Sequence, residues 1–343
     1  MQSSLSQIDR QGGESSGSRP IAVLVEREGL GDVLLKLPML RTIAKGFPGR
    51  PIWWIAGFQT SMADDLRPYL RDLVSEVRPS TGISSRRPEM VRGLRELPPF
   101  SLVFDTRTRW ESIGYARHVL KRDRYYCCTP GYVGSDARPS RFTRPRHIGA
   151  RALSLAEAAL GAPANGEGAL ACGTAAREMV AKLLPAGPVY VGVAVGSREA
   201  RKNWPLHRFG ELALALASRG RVPVLLLGPQ EASSLEEIRN TIPQAIALDF
   251  MQIRPEPAIG VFDAAIAVIE RLRLVVANDG GLGHLAGAVA RPVVSLFGPT
   301  DPRRWAPMAP ALAVVRAQDH GGDGMDAIPM EPVLAAVETL LRQ

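Results

Sequence analysis

The sequence predicts an α/β protein made of two parallel-sheet domains, an expectation that rests on three observations. Short apolar runs rich in Val, Ile and Leu recur between turn residues, with helical patterns separating them, first over 21–105 and again over 189–297. The chain has 343 residues, more than one hydrophobic core usually serves. Apolar residues make up 45% and charged residues 22%, the balance of a globular protein. No apolar run reaches the roughly 18 residues that a spanning helix needs.

Ile21 opens a β-rich run, IAVLVE, followed by the glycine loop REGLGD and a helical pattern through Leu34, Leu37, Leu40 and Ile43. IWWIAG and SLVFD read as two further strands, and a helix is expected over 147–160 after a loop rich in Pro and Arg. The Gly, Ala and Pro of 161–168 and the prolines at 185 and 188 bracket an expected linker over 173–188. The alternation then restarts with VYVGVAVGS, VPVLLLG, LVVAND and PVVSLFG, separated by helices. The expected domains are therefore 21–172 and 189–326, with a separate C-terminal helix over 327–343.

Residues 1–20, rich in Ser, Gly and Gln and without an apolar stretch of the secretory kind, are expected to be a disordered tail. The three cysteines, Cys127, Cys128 and Cys172, form neither a disulfide framework nor a metal-ligand spacing, which points to a reducing, cytoplasmic setting. The net charge is +8, and it is concentrated: residues 86–151 hold 15 Arg or Lys against 6 Asp or Glu. An anionic partner is expected there. Nucleic acid is not the partner expected.

NDGGLGHLAGAVA follows a strand and opens a helix, with Gly280 and Gly281 at its first turn. Unpaired amides and the positive end of a helix dipole suit a diphosphate, whereas the plain reading is close helix-to-sheet packing with Asp279 as a cap. His284 on the next turn fits either reading. In VGSREARKNWP, Ser197, Arg198, Arg201 and Lys202 follow a strand, where open parallel sheets bind ligands, although a solvated charged loop is the competing reading. Asp32 closes EGLGD at the mouth of the first helix, a place that also suits a simple cap. The full G-x-G-x-x-G fingerprint is absent, and no acidic residue ends a second strand, which disfavours a nicotinamide enzyme. There is no P-loop, H-E-x-x-H or nucleophile elbow. Asp319, His320, Asp323 and Asp326 lack the spacing of a calcium loop and read as a polar turn.

Together EGLGDVLLKLPMLRTI, ARKNWPLHRFGELA and NDGGLGHLAGAVARPVVSLFGPTDP resemble the bacterial heptosyltransferase family, glycosyltransferase family nine. The resemblance implies two Rossmann-like domains facing across a cleft, the GT-B architecture. It implies an inverting, metal-independent transfer of a sugar, a heptose, from a nucleotide diphosphate donor such as ADP-heptose to an anionic glycan or lipid-linked acceptor of lipopolysaccharide biosynthesis. No cofactor is implied. Asp32 becomes the general base, and Ser197, Lys202, Glu231, Asp279, Gly280, Gly281 and His284 become donor-binding. The basic N-terminal segment gives Arg107, Arg109, Arg144, Arg146 and His147 as acceptor-binding residues, with the cytoplasmic membrane face as a site of peripheral contact. Gly280 stands where the family usually has Thr. Two other classes remain open, a nucleotide-sugar epimerase of similar architecture and a non-catalytic nucleotide-sugar-binding protein.

Overall fold

The strand Ile21–Val25, β1, is buried along its whole length, as expected of a central parallel strand covered on both faces. The computed structural model describes residues 19–84, 94–95, 97–140, 143–228, 231, 234–253 and 259–343. The tail expected over 1–20 thus lies outside the described residues except for its last two. Around β1 are β2 (Ile52–Ala56), β3 (Glu76–Arg78), β4 (Phe100–Asp105) and β5 (Arg122–Cys127). They form one parallel sheet in the order β3-β2-β1-β4-β5. The second sheet joins β6 (Val189–Ala194), β7 (Arg221–Leu227), β8 (Ile246–Asp249), β9 (Leu274–Asn278), β10 (Val293–Phe297) and β11 (Leu312–Arg316). Its order is β11-β10-β9-β6-β7-β8, again all parallel. In both sheets the strand order reverses beside the first strand of the domain, and the crevice at that switch point is where such folds bind ligands.

The helices of the first domain are α1 (Leu30–Leu34), α2 (Leu37–Gly46), α3 (Trp110–Val119) and α4 (Ile148–Leu160). The helical pattern from Leu34 is split after α1. Pro38 lies in the first turn of α2, where its missing N–H costs nothing, but it lets no straight helix run through. The second domain adds α5 (Thr174–Leu183), α6 (Leu206–Ala217), α7 (Leu235–Thr241), α8 (Val261–Arg271), α9 (Gly281–Ala288), α10 (Pro302–Trp305) and α11 (Met330–Leu341). Two expected boundaries are corrected here. The segment 173–188 is no plain linker, because Ala176, Met179 and Val180 give α5 an apolar face packed on α8. The helix expected apart over 327–343 buries Val333, Leu334, Val337 and Leu340 against α6 and the second sheet.

Alternation along the strands divides the core. Ala22 and Leu24 face a cluster behind the first sheet, and Val191 and Val193 face one behind the second. Ile21, Val23 and Val25, by contrast, belong to a cluster that continues without a break to Tyr190, Val275 and Ile266 of the second domain. The two sheets therefore present their carboxyl-end loops to one cleft, with a shared apolar floor.

Candidate active site in the cleft between the domains

A cavity of about 640 Å³ lies between the domains, lined by the loop after β1, the loop after β6 and the first turn of α9. From the first domain comes Asp32, at the third position of α1. Its Oδ2 accepts the Gly29 amide at 3.1 Å, so the carboxylate caps its own helix. From the second domain comes Lys202, in the turn Ala200–Lys202. Its ammonium bonds Asp279 Oδ2 at 3.1 Å and pairs with Glu199 at 3.2 Å. Burial works against that charge, but the two carboxylates outweigh it and the lysine's pKa is raised. Asp279 also accepts the Thr300 hydroxyl at 2.8 Å, a contact whose only trace in the sequence is the trailing G-P-T-D-P.

The glycines act by what they leave out. A Cβ on Gly31 would come 2.6 Å from His284 Cδ2, and one on Gly281 would come 3.0 Å from a Leu30 methyl. The two glycine loops thus let α1 and α9 approach each other across the domain boundary. A Cβ at Gly280 would lie 3.3 Å from the Ser197 Cβ, tight enough that the family's usual Thr would crowd the loop after β6. Ser197 turns its hydroxyl to the Glu199 carbonyl at 2.8 Å and keeps that loop folded. A Cβ at Gly196 would overlap the Glu231 carboxylate, whose other oxygen accepts the Gly228 amide at 2.8 Å. Burial pushes the Glu231 carboxyl up. No side chain caps the N-terminus of α9, and its first turn carries no acidic residue, so amides and dipole face the cavity uncompensated.

His284 is buried, and its pKa is lowered to about 4, chiefly by burial, with Asp279 and Asp32 opposing. Its Nδ1 is buried without a protein partner. Asn278, which sequence reasoning passed over, holds the site's frame: its amide donates to the Val195 carbonyl at 2.8 Å and its oxygen accepts the Trp204 amide at 3.0 Å. The Trp204 indole donates to the Ile328 carbonyl at 2.9 Å, which anchors the lysine loop.

A smaller cavity of about 170 Å³ adjoins Asp32 on the first-domain side. Arg109 lines it, exposed, at the N-cap of α3. Arg107 needs a correction. Its guanidinium is fully buried and bonded to Asp105 Oδ1 at 2.8 Å and Oδ2 at 2.5 Å and to the carbonyls of Ile83 and Ser112. Burial disfavours its charge, but Asp105 outweighs burial and raises the pKa. Tyr125 completes the group through its hydroxyl on Asp105, so although Arg107 borders the smaller cavity, four of its five N–H donors are already engaged inside the first domain. His147 is corrected for the same reason. Its Nδ1 accepts the Ala150 amide at 3.3 Å as the cap of α4, and its Nε2 donates to the Ala306 carbonyl of the second domain at 2.8 Å. Arg144 and Arg146 do not line either cavity. Arg27, Arg151 and Arg304 do line the smaller one, and the charge count over 86–151 pointed to only the second of them. Residues 86–93, 96, 141 and 142 of that basic segment lie outside the described residues, as do 254–258 within the stretch 248–264.

Two parallel-sheet Rossmann-like domains that turn their switch points to one cleft define the GT-B glycosyltransferase architecture. The sequence profile of glycosyltransferase family 9 (heptosyltransferase) matches residues 135–323, and the chain belongs to that family. The lipopolysaccharide heptosyltransferase 1 of Pseudomonas aeruginosa is 28% identical over 301 residues, covering 82% of this chain and 79% of that one. The lipooligosaccharide heptosyltransferase 2 of Haemophilus influenzae is 30% identical over 115 residues, 34% of this chain; the chain spans about a third, 32%, of that relative. Among solved structures, E. coli heptosyltransferase WaaC with ADP superposes with a TM-score of 0.66 at 18% identity, covering 93% of this chain and 99% of that one. No helix among the described residues is long and apolar enough to cross a membrane.

Proposed function

We propose that the protein transfers a heptose from ADP-heptose to an anionic acceptor of the lipopolysaccharide core, with inversion at the anomeric carbon. The observation that carries this reading is the meeting, in one cavity of about 640 Å³, of a carboxylate from one domain with a lysine and an uncapped helix N-terminus from the other. The acceptor hydroxyl attacks the anomeric carbon from the face opposite the diphosphate and gives its proton to Asp32. The bond to the diphosphate oxygen breaks, and the negative charge that builds there is met by Lys202 and the amides at Gly280 and Gly281. One carboxylate is enough, because the nucleotide diphosphate leaves without protonation, unlike the alcohol in glycoside hydrolysis. Metal independence belongs to the same proposal, since a cation and a helix dipole already stand where the leaving group's charge develops.

ADP as the nucleotide takes support from the ADP-bound heptosyltransferase of the same fold. The acceptor's charge takes support from Arg109 beside Asp32; Arg144 and Arg146 would contribute only at longer range. Asp279 and His284 are assigned to the donor's phosphates and sugar, and Glu231 to its ribose. Thermal denaturation with nucleotide sugars tests the reading, because a ligand of the folded state raises Tm by mass action. ADP-heptose is expected to raise Tm in wild type and to do so less in Lys202→Ala. Stabilisation by UDP- or GDP-sugars instead, or an undiminished shift in the variant, would contradict it.

A further inference from the structure

Glu28 and Lys36 form an ion pair of 2.6 Å whose side chains are only 8% and 4% exposed, beside the carboxylate that the proposal above makes the base. Buried pairs of this kind are poor stabilisers. Apolar residues of similar volume serve stability as well or better, because two ions must first leave water. Its geometry, however, is directed. Lys36 occupies the N-cap position of α2 at the junction with α1, and its ammonium also donates to the backbone carbonyl of Asp32 at 3.3 Å. Glu28 is fastened in turn to the neighbouring strand's loop: it forms a parallel bridge with Thr60, and its carbonyl accepts the Ser61 amide at 3.0 Å. A chain of contacts therefore runs from the loop after β2, through Glu28 and Lys36, to the backbone of Asp32. All three side chains line the smaller cavity.

We infer that the Glu28–Lys36 pair is a positioning device for Asp32, in which Lys36 pins the turn that carries the base and Glu28 cancels the lysine's charge so that the cation does not weaken the base. The inference rests on Asp32 being the base. A lysine alone would hold the turn equally well, but it would stabilise the carboxylate and make it a poorer proton acceptor. A carboxylate alone would add a second anion in the same place. Burial pushes the Glu28 carboxyl up while Lys36 opposes that shift.

Other charges surround the base, among them Asp65, Glu199 and Lys202 in the larger cavity and Arg107 in the smaller one. Asp279 and His284 face it from the α9 side, with Arg198 beside Gly29. Glu26 and Arg27 lie in the loop after β1, and Arg109, Arg151 and Arg304 close the smaller cavity. None of these changes in the variants that test the pair.

The experiment is the pH–rate profile of ADP-heptose cleavage with water as acceptor, together with carboxyl-carbon NMR titration of Asp32, which needs no donor. In Glu28→Gln the uncancelled lysine is expected to move the acid limb and the Asp32 titration to lower pH, by roughly half to one pH unit. The double variant Glu28→Gln with Lys36→Met is expected to return both to their wild-type position. Its turnover should nevertheless stay low, by up to about 100-fold, because the turn is no longer pinned. A pair that only supports the fold would lower stability and rate while leaving limb and titration in place, and that result would overturn the inference. So would an upward displacement in Glu28→Gln. If Asp32→Asn cleaves donor as well as wild type, the proposed base has failed instead, an outcome distinct from either of these.

Discussion

Arg107 and Arg109 stand two residues apart beyond β4, and the sequence gives them the same chemistry. Their surroundings separate them: Asp105, at the end of the strand, is fully buried and claims the nearer guanidinium, while Arg109 begins a helix at the surface. Arg107→Ala is therefore expected to cost roughly 3–5 kcal/mol of stability, since it leaves a buried carboxylate unpaired. Arg109→Ala is expected to leave stability unchanged and raise the acceptor's KM, and denaturation and steady-state kinetics on the two variants separate these effects. His284 makes a second prediction. The folded protein keeps this ring neutral down to about pH 4, whereas the unfolded chain takes up the proton near the ordinary value of 6.5. Its contribution to stability is whole above pH 6.5 and is lost as pH falls towards 4, because the unfolded state then binds a proton that the fold refuses. Urea denaturation across that window should show a flatter decline for His284→Gln than for wild type.

At the scale of elements, the central strands were legible and the edges were not. IAVLV, IWWIA, FSLVFD and the four strands β6, β7, β9 and β10 are apolar because both their faces are covered. The four strands that the sequence did not reveal, β3, β5, β8 and β11, are the outer strands of the two sheets. EVR, RDRYYC, IALD and LAVVR are short or carry charges, which is how edges avoid pairing with other chains. The glycine motifs were legible as tight turns opening helices, but the role the structure gives them, bringing α1 against α9, depends on the distant partner and could not be read locally. Gly31→Ala tests that role. The added methyl meets the His284 ring at 2.6 Å, and a loss of about 1–3 kcal/mol is expected from overpacking against that buried ring. A variant as stable as wild type would mean that the domains separate easily at this contact.

For the whole molecule, the apolar cluster shared by both domains and the His147 bond to Ala306 hold the cleft together, so that Asp32 and Lys202 face one cavity. Sugar transfer is expected to survive EDTA if, as proposed, Lys202 and the N-terminus of α9 supply the positive charge at the leaving diphosphate. Complete loss, restored by a divalent cation, would assign that work to a metal. Whether the cleft moves a sugar with Asp32 as base is decided by one substitution. Asn at position 32 can still accept the Gly29 amide, which Asp32 now holds at 3.1 Å, but it cannot take a proton. Transfer from ADP-heptose by Asp32→Asn, measured beside its unfolding midpoint, is predicted to fall by roughly 10²–10⁴-fold with the midpoint unchanged. Near wild-type turnover in a stably folded variant would mean that Asp32 is not the base and leave it as a helix cap.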